Sequence, residues 1–128
     1  NVRGTLKADF DAWDVLRSVF PGGTITGCPK IRCVQTLAAM EPVSRSGYTG
    51  GLGYIDVADG NMDFNILIRS LFLTKQQSDG EHPESMVYNG AVHVGAGIVA
   101  DSVGEYEYRE CLRKATAIVG AIEACELS

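Results

Sequence analysis

The chain has 128 residues, of which 45% are hydrophobic, and it carries a formal net charge of −5. This length and composition fit one small globular unit with room for a hydrophobic core. The acidic balance argues against nucleic acid as a partner, since nucleic acid normally requires a basic surface. The sequence has no run of about 18 apolar residues, which a membrane span requires. We also expect no signal peptide, because the first residues lack its pattern.

The cysteines restrict the class of protein further. Cys28, Cys33, Cys111 and Cys125 form no CxxC pair and have no zinc-binding spacing with the two histidines. We therefore expect reduced, partly buried thiols, which are typical of the cytosol. The sequence predicts a cytoplasmic protein that does not bind membranes.

The first part of the chain predicts two helices joined by a glycine-rich segment. Apolar residues recur at helical spacing over residues 9–20, and the Pro-Gly-Gly of residues 21–23 ends this helix. A second helix is predicted after Gly27, because Pro29 suits a first helical turn and Pro42 closes the pattern.

The middle of the chain predicts an antiparallel hairpin. A glycine-rich strand is expected over residues 48–58, followed by the Asp-Gly-Asn turn of residues 59–61. The next strand is expected over residues 62–74, with apolar side chains at its even positions. On this alternation Arg69 lies on the less apolar face of the strand.

The remaining elements complete an α+β fold. A polar loop is expected over residues 75–85, followed by strands over residues 86–88 and 91–100. Ser102 and Glu105 have the spacing of a capping box at the start of a final helix. The order of elements predicts an antiparallel sheet flanked by helices.

The final helix places charged residues on the stripe that should be apolar core. At about 100° per residue, Glu107, Glu110 and Lys114 lie on one side. Burying unpaired charge is unfavourable, so such a cluster indicates a cation, a ligand or a partner charge. The alternative is an ordinary i,i+4 pair in water. The same stripe continues through Ile118, Ala121, Ile122 and Cys125.

Two glycine-rich segments are candidate anion sites. Residues 22–30 lead into a predicted helix N-terminus, where backbone N–H groups and the hydroxyls of Thr24 and Thr26 could bind an anion. The segment lacks a Walker pattern, and a plain loop with a helix cap is the alternative. Residues 95–97, Gly-Ala-Gly, either allow close approach to a ligand or form a simple bulge.

An arginine and a tyrosine complete the candidate site. Arg69 could bind a carboxylate through two hydrogen bonds, and Tyr48 could donate its hydroxyl to the same anion. A surface salt bridge and simple packing are the respective alternatives. Together with the two inward carboxylates, these groups suit a small dicarboxylate held partly through Mg²⁺, which prefers oxygen ligands.

Four sequence strings carry a resemblance to a known family. They are PGGTITGCPKIR (21–32), YTGGLGY (48–54), GNMDFNILIRS (60–70) and GAGIVADSVGEYEYRECLRK (95–114). In this order and spacing, the chain resembles the chorismate-utilising enzymes. The resemblance implies that residues 1–128 are the C-terminal half of a chorismate-binding domain with the anthranilate synthase component I-like fold, without its N-terminal half.

The resemblance also implies a role for each matching residue. Glu107 and Glu110 match the family's magnesium ligands, and the metal holds the ring carboxylate of chorismate. Thr24 matches a contact to that carboxylate, and Lys114 matches a lysine near the same end of the site. The resemblance also places six residues at the substrate, mainly around its enolpyruvyl carboxylate. They are Tyr48, Ile68, Arg69, Gly95, Ala96 and Gly97.

Within the family, TGCPKIRC and NMDFNILIR look most like the members that aminate chorismate to 4-amino-4-deoxychorismate. That activity takes ammonia from a glutamine amidotransferase and leads to p-aminobenzoate and folate. Anthranilate formation is the alternative, and an isolated half-domain without activity is another, because the family's acid–base residues lie upstream of the matched region. Gly104 and Cys111 replace the family's usual Pro and Thr, and neither is a ligand.

Overall fold

The computed structural model describes residues 3–76 and 87–126, with helices and antiparallel strands as predicted. It divides into two compact units, Asn1–Leu67 and Ile68–Ser128. The first unit contains α1 (Ala12–Val19), α2 (Gly23–Thr26), α3 (Lys30–Met40), β1 (Gly51–Ile55) and β2 (Met62–Ile66). The second contains β3 (Leu71–Lys75), β4 (Tyr88–Val92) and α4 (Gly104–Glu126). The α+β class is confirmed, and the described residues form two two-stranded sheets in place of the one predicted.

Helix α1 begins later than the apolar spacing predicts because Asp11 caps it. The Asp11 carboxylate accepts a hydrogen bond from the Asp14 N–H at 3.0 Å, and the Asp14 carboxylate accepts one from the Asp11 N–H at 3.1 Å. This reciprocal pair fixes the first turn. At the other end, the Lys30 ammonium donates to the carbonyls of Ser18 and Val19, so a cation covers the helix C-terminus.

The glycine-rich segment is more regular than predicted. It forms the single turn of α2, and Gly27, the residue after this turn, has a φ of +90°. Left-handed backbone favours glycine here, and a Cβ at Gly27 would also lie 3.0 Å from the Cys33 sulfur. Pro29 is the extended residue that precedes α3 and does not lie in its first turn. Helix α3 ends at Met40, two residues before Pro42.

The predicted hairpin is confirmed in unit one. Strands β1 and β2 pair antiparallel, from Gly51 opposite Ile66 to Ile55 opposite Met62. The connection closes through the Asp56 N–H, which donates to the Asn61 carbonyl at 2.7 Å, and Gly60 takes a φ of +74°. Strand β1 is shorter than predicted.

The single strand predicted over residues 62–74 is wrong. Strand β2 ends at Ile66, β3 begins at Leu71, and Arg69 between them has a φ of +51°. A left-handed residue cannot continue the pleat, so the two strands belong to separate sheets. Arg69 therefore lies in a connection and not on a strand face.

The strand predictions that follow are also revised. Strand β4 runs through residues 89 and 90, which lie between the two predicted strands, and it pairs antiparallel with β3. Residues 93–99 have no regular structure, so the strand predicted over residues 91–100 is wrong beyond Val92. The predicted polar loop and the start of the strand predicted over residues 86–88 lie largely outside the described residues.

The expectation of a buried core is not met in the described residues. None of them is a buried hydrophobic residue, and Trp13, Leu52 and Tyr54 are each more than half exposed. The Phe72 and His93 rings pack edge to face at 6.3 Å between centroids. The secondary structure is therefore ordered with apolar faces uncovered.

The cysteines and the lengths of the helices bear on two expectations from composition. The four cysteines are free thiols, and Cys33 and Cys111 are partly buried while Cys28 and Cys125 are exposed. Within residues 3–76 and 87–126, no helix has the length and apolar character that crossing a bilayer demands.

Gly53 provides a test of the hairpin. A Cβ at this position would overlap the Asp63 carbonyl oxygen and lie 2.7 Å from the Phe64 ring. We expect Gly53→Ala to lower the free energy of unfolding by about 1–3 kcal/mol, because the β1–β2 pair must separate to admit the methyl group. Urea unfolding measures the change. Gly4→Ala is the control, because a Cβ there meets no atom within 4 Å.

An unchanged free energy of unfolding for Gly53→Ala would contradict the close approach of β1 and β2 at this register.

Candidate functional site

The charged stripe of α4 coincides with the less exposed side of that helix. Glu107, Glu110, Lys114 and Ile118 are all partly buried, whereas Arg109 on the opposite side is exposed. The charged residues therefore share one side of this stretch, as predicted, but the Lys114 and Glu110 side chains are 29% and 45% exposed, so among the described residues this side does not face a buried core. The predicted apolar continuation, Ala121, Ile122 and Cys125, is exposed.

Lys114 is the centre of the arrangement. Its ammonium lies 2.7 Å from the Glu110 carboxylate and donates a hydrogen bond to the Gly95 carbonyl at 2.8 Å. The i,i+4 pair offered as the alternative therefore does form. The lysine side chain is 29% exposed and the glutamate 45% exposed, so solvent weakens the pair without removing it.

The hydrogen bond to Gly95 fixes the second glycine-rich segment, residues 95–97, beside α4. Residues 93–99 have no strand partner, and the Lys114 hydrogen bond spans 19 positions to connect this segment to α4. Gly95 and Ala96 are partly buried, and Gly97 is exposed with no atom within 4 Å of a hypothetical Cβ. The segment thus lies beside the charged face of the helix.

Glu107 is held by a hydroxyl instead of a lysine. The Ser102 hydroxyl donates to the Glu107 carboxylate at 2.7 Å and accepts from the Val99 N–H at 3.0 Å. The predicted capping box is therefore wrong: Ser102 bonds Glu107, and Glu105 pairs with Arg109 at 2.8 Å. The two carboxylates of the stripe have different partners, one neutral and one cationic.

The pair of carboxylates is compatible with a magnesium ion. Glu107 and Glu110 are one helical turn apart on the same face. Mg²⁺ commonly binds one or two protein carboxylates and completes its octahedron with water and substrate oxygens. No group of three acidic, histidine or cysteine side chains suited to a metal occurs in the described part of the chain. The two carboxylates of Glu107 and Glu110 fit a magnesium site whose other ligands come from water or substrate. The metal itself stays a prediction.

Electrostatics favour the ionised form of Glu110. The pKa of its carboxyl is lowered, first because it accepts a hydrogen bond from the Lys114 ammonium and then through the positive charges of Lys114 and Arg113. An ionised carboxylate is the form that a hard cation binds.

Arg69 and Ile68 lie in the connection between β2 and β3. Both side chains are exposed, and the Ser70 hydroxyl donates to the Ile68 carbonyl at 3.1 Å. Within the described residues no carboxylate pairs with Arg69, so the surface salt bridge offered as the alternative is not found there. The guanidinium is accessible to an anion.

The first unit contains Thr24, Tyr48 and a cleft. Thr24 is exposed on α2, whereas the Thr26 hydroxyl donates to the Gly22 carbonyl at 3.2 Å within its own turn. Tyr48 lies in the turn before β1, not in a strand, and lines a cleft of about 540 Å³. The apolar wall of this cleft includes Phe20, Val34, Leu37 and Ala38.

The same cleft contains an ion pair that the motifs did not single out. The Arg45 guanidinium donates to both carboxylate oxygens of Glu41, with Nε to Oε2 at 2.8 Å, and also to the Thr49 hydroxyl at 3.2 Å. The signal for it in the sequence is the i,i+4 spacing of Glu41 and Arg45 across the end of α3.

The structure therefore brings together one group of predicted residues. Lys114 contacts both Glu110 and Gly95 in the second unit, and Glu107 shares the same helix face. Arg69 belongs to the same unit, and Thr24 and Tyr48 belong to the first. The substrate and metal roles of these residues stay predictions.

A comparison with family models identifies the class. The model described as chorismate binding enzyme matches residues 1–120. The chain therefore belongs to the chorismate-binding enzyme family, as its four sequence strings predict.

Individual relatives are known by name. The chain is 47% identical over 123 residues to the anthranilate synthase component I-like protein of Synechocystis sp.. It is 39% identical over 126 residues to aminodeoxychorismate synthase component 1 of Bacillus subtilis. It is 42% identical over 123 residues to anthranilate synthase component 1 of Methanothermobacter thermautotrophicus. These matches cover 96–98% of this chain but 23–24% of each relative. No solved structure matches the chain.

Removing the lysine charge tests the electrostatics of the stripe. In Lys114→Met we expect the pKa of Glu110 to rise toward its usual value of 4.5, because the hydrogen-bond donor and the nearest positive charge are both lost. Side-chain carboxyl NMR shifts followed against pH measure it.

Arg113→Met is the matched control, since Arg113 acts on Glu110 through charge alone and to a smaller extent. An equal rise in both variants would contradict the direct Lys114–Glu110 contact.

Proposed function

We propose that the full-length protein aminates chorismate to 4-amino-4-deoxychorismate in a magnesium-dependent reaction, and that this chain supplies part of its chorismate site. The observation that carries the proposal is the partly buried face of α4, where Glu107 and Glu110 present carboxylates beside Lys114 and the Gly95 segment. Family membership supports chorismate as the ligand.

At the ring-carboxylate end, the proposed groups are two carboxylates that hold the metal and one lysine ammonium. Glu107 and Glu110 would hold Mg²⁺, and the metal would supply positive charge to the ring carboxylate, which would help to stabilise negative charge on the substrate during the reaction. Lys114 would remain hydrogen-bonded to Gly95 and add positive charge nearby. Thr24, with its exposed side chain, would donate its hydroxyl to the same carboxylate.

At the enolpyruvyl end, the proposed groups orient the substrate. Arg69 would bind the carboxylate, and Tyr48 would donate its hydroxyl. Backbone N–H groups of Gly95 and Gly97 would add further donors, with Ile68 and Ala96 as their neighbours in the substrate site. These contacts contribute by holding one reacting geometry, since none of them takes part in a bond-making step.

The proposal includes a partner that delivers ammonia. A glutamine amidotransferase subunit or domain would supply it, and the relatives' names, which contain component I or component 1, support a multi-component enzyme. The free thiols fit the cytoplasmic location that we propose, in which the product enters p-aminobenzoate and folate synthesis.

Anthranilate synthesis is the second candidate activity. The Synechocystis and Methanothermobacter relatives carry anthranilate synthase names at identities similar to that of the Bacillus relative. Because the chain spans about a quarter of their length, activity belongs in either case to the full-length protein. A third candidate is that this segment alone is a half-domain without catalysis.

Product analysis separates these candidates. The full-length protein is incubated with chorismate, Mg²⁺ and an ammonium salt, and the products are resolved by chromatography. We expect 4-amino-4-deoxychorismate. Anthranilate would assign the second activity, and unreacted chorismate under conditions where the protein is folded would contradict the proposed function.

The roles of Arg69 and Tyr48 predict graded losses of affinity. A hydrogen bond to a charged group contributes about 1.5–3 kcal/mol and a neutral one about 1 kcal/mol. We therefore expect Arg69→Ala to weaken chorismate binding by about tenfold or more, and Tyr48→Phe by less. Titration calorimetry of the full-length protein measures both. An unchanged dissociation constant for Arg69→Ala would contradict its assignment.

Arg17→Ala is the matched control, because Arg17 is 80% exposed and forms a surface pair with Asp14 at 3.8 Å. We expect no change in affinity from this variant.

A further inference from the structure

The turn that carries Tyr48 is held by one guanidinium. Arg45 donates to both oxygens of Glu41 at the end of α3 and to the Thr49 hydroxyl near the start of β1. The Arg45 and Glu41 side chains are only 27% and 34% exposed. A fork that engages three acceptors has a fixed orientation, so Arg45 ties the helix end to the turn.

The turn itself is conformationally unfavourable. Ser46 and Thr49 have φ values of +50° and +63°, although neither is glycine. Left-handed backbone costs about 1 kcal/mol or more for such residues, and the cost is highest for a β-branched one. Such a turn persists only where surrounding contacts hold it.

Backbone hydrogen bonds place Tyr48 inside this strained segment. The Tyr48 N–H donates to the Arg45 carbonyl at 2.8 Å, and the Gly50 N–H donates to the Gly47 carbonyl at 3.0 Å. The Thr49 N–H donates to the Leu67 carbonyl at 2.8 Å, which joins the turn to the end of β2. The Arg45 side chain contacts Glu41 before Tyr48 in the chain and Thr49 directly after it, so Tyr48 lies between two residues that Arg45 holds.

The charges keep this arrangement intact near neutral pH. The pKa of Glu41 is lowered mainly by its hydrogen bonds from Arg45, and the pKa of Arg45 is raised mainly by Glu41. Both groups are therefore ionised under ordinary conditions, and the pair is a charge-assisted one.

We propose that Arg45, anchored by Glu41, is a positioning residue that holds the 45–50 turn so that the Tyr48 hydroxyl reaches the substrate. The inference rests on the proposed function, because it assigns the contact of Tyr48 to chorismate. Arg45 itself touches no reacting atom in this assignment and acts through Tyr48.

A double-mutant cycle in the full-length protein tests the coupling. We expect Arg45→Met to raise KM for chorismate by about threefold to fivefold with kcat nearly unchanged, because a lost orienting hydrogen bond weakens binding more than chemistry. In a Tyr48→Phe background the same substitution should change KM by less than about twofold. Arg17→Met is the control.

Equal effects of Arg45→Met in both backgrounds would overturn the proposal, since a general loss of structure acts independently of the Tyr48 hydroxyl. Thr49→Val is the milder variant if Arg45→Met folds poorly. It removes the acceptor of the 3.2 Å hydrogen bond while keeping the shape of the side chain and the Glu41–Arg45 pair. It should also raise KM less in the Tyr48→Phe background than in wild type.

Hydrogen exchange separates failure of this proposal from failure of the proposed function. In the full-length protein, Arg45→Met should speed exchange of the Tyr48 and Gly50 amides, and Arg17→Met should not. Unchanged exchange at these amides would overturn the positioning role whatever the activity. If Arg45→Met speeds exchange but the wild-type protein does not convert chorismate, the result would support the contact of Arg45 with the turn and reject the proposed function.

Discussion

The contacts of the Lys114 ammonium connect helix α4 to the segment of residues 93–99 in the second unit. Its ion pair with Glu110 orients one carboxylate of α4, and its hydrogen bond to the Gly95 carbonyl connects a segment without strand partners to the same helix. A lysine 29% exposed needs such acceptors, because a partly dehydrated ammonium without them is unfavourable. Through this hydrogen bond the Gly95 backbone lies beside the acidic face.

This arrangement reconciles the structural and functional interpretations of the stripe. The Glu110–Lys114 pair is an ordinary i,i+4 ion pair, but it lowers the pKa of Glu110 and keeps the carboxylate ionised. Glu107 has a neutral partner, the Ser102 hydroxyl, which leaves its negative charge uncompensated by that contact. A divalent cation would add the missing positive charge on this face.

The features that could be predicted from sequence have local causes. The Asp59–Asn61 turn and the alternation of β2 define the hairpin, and helical periodicity places Glu107, Glu110 and Lys114 on one face. The break at Arg69 could not be predicted in this way, since no glycine or proline marks it and its left-handed backbone is stable only in context.

The missed polar contacts have a similar explanation. Ser102 has the spacing of a helix cap, yet its hydroxyl bonds the Glu107 carboxylate, which lies within reach only when the chain turns at Val99. The Arg45 contact to Thr49 likewise needs the fold of the turn. Spacing along a helix identified the acidic face and its i,i+4 pair, whereas the Ser102 and Gly95 contacts depend on the three-dimensional fold.

The most direct test of the account is magnesium-dependent chorismate binding by the full-length protein, compared with Glu107→Gln and Glu110→Gln. Each glutamine keeps the size of the side chain and removes its charge. The account predicts that Mg²⁺ tightens chorismate binding in the wild type and has little effect on either variant. Equal magnesium dependence in all three proteins would contradict the assignment of the α4 carboxylates as the metal site.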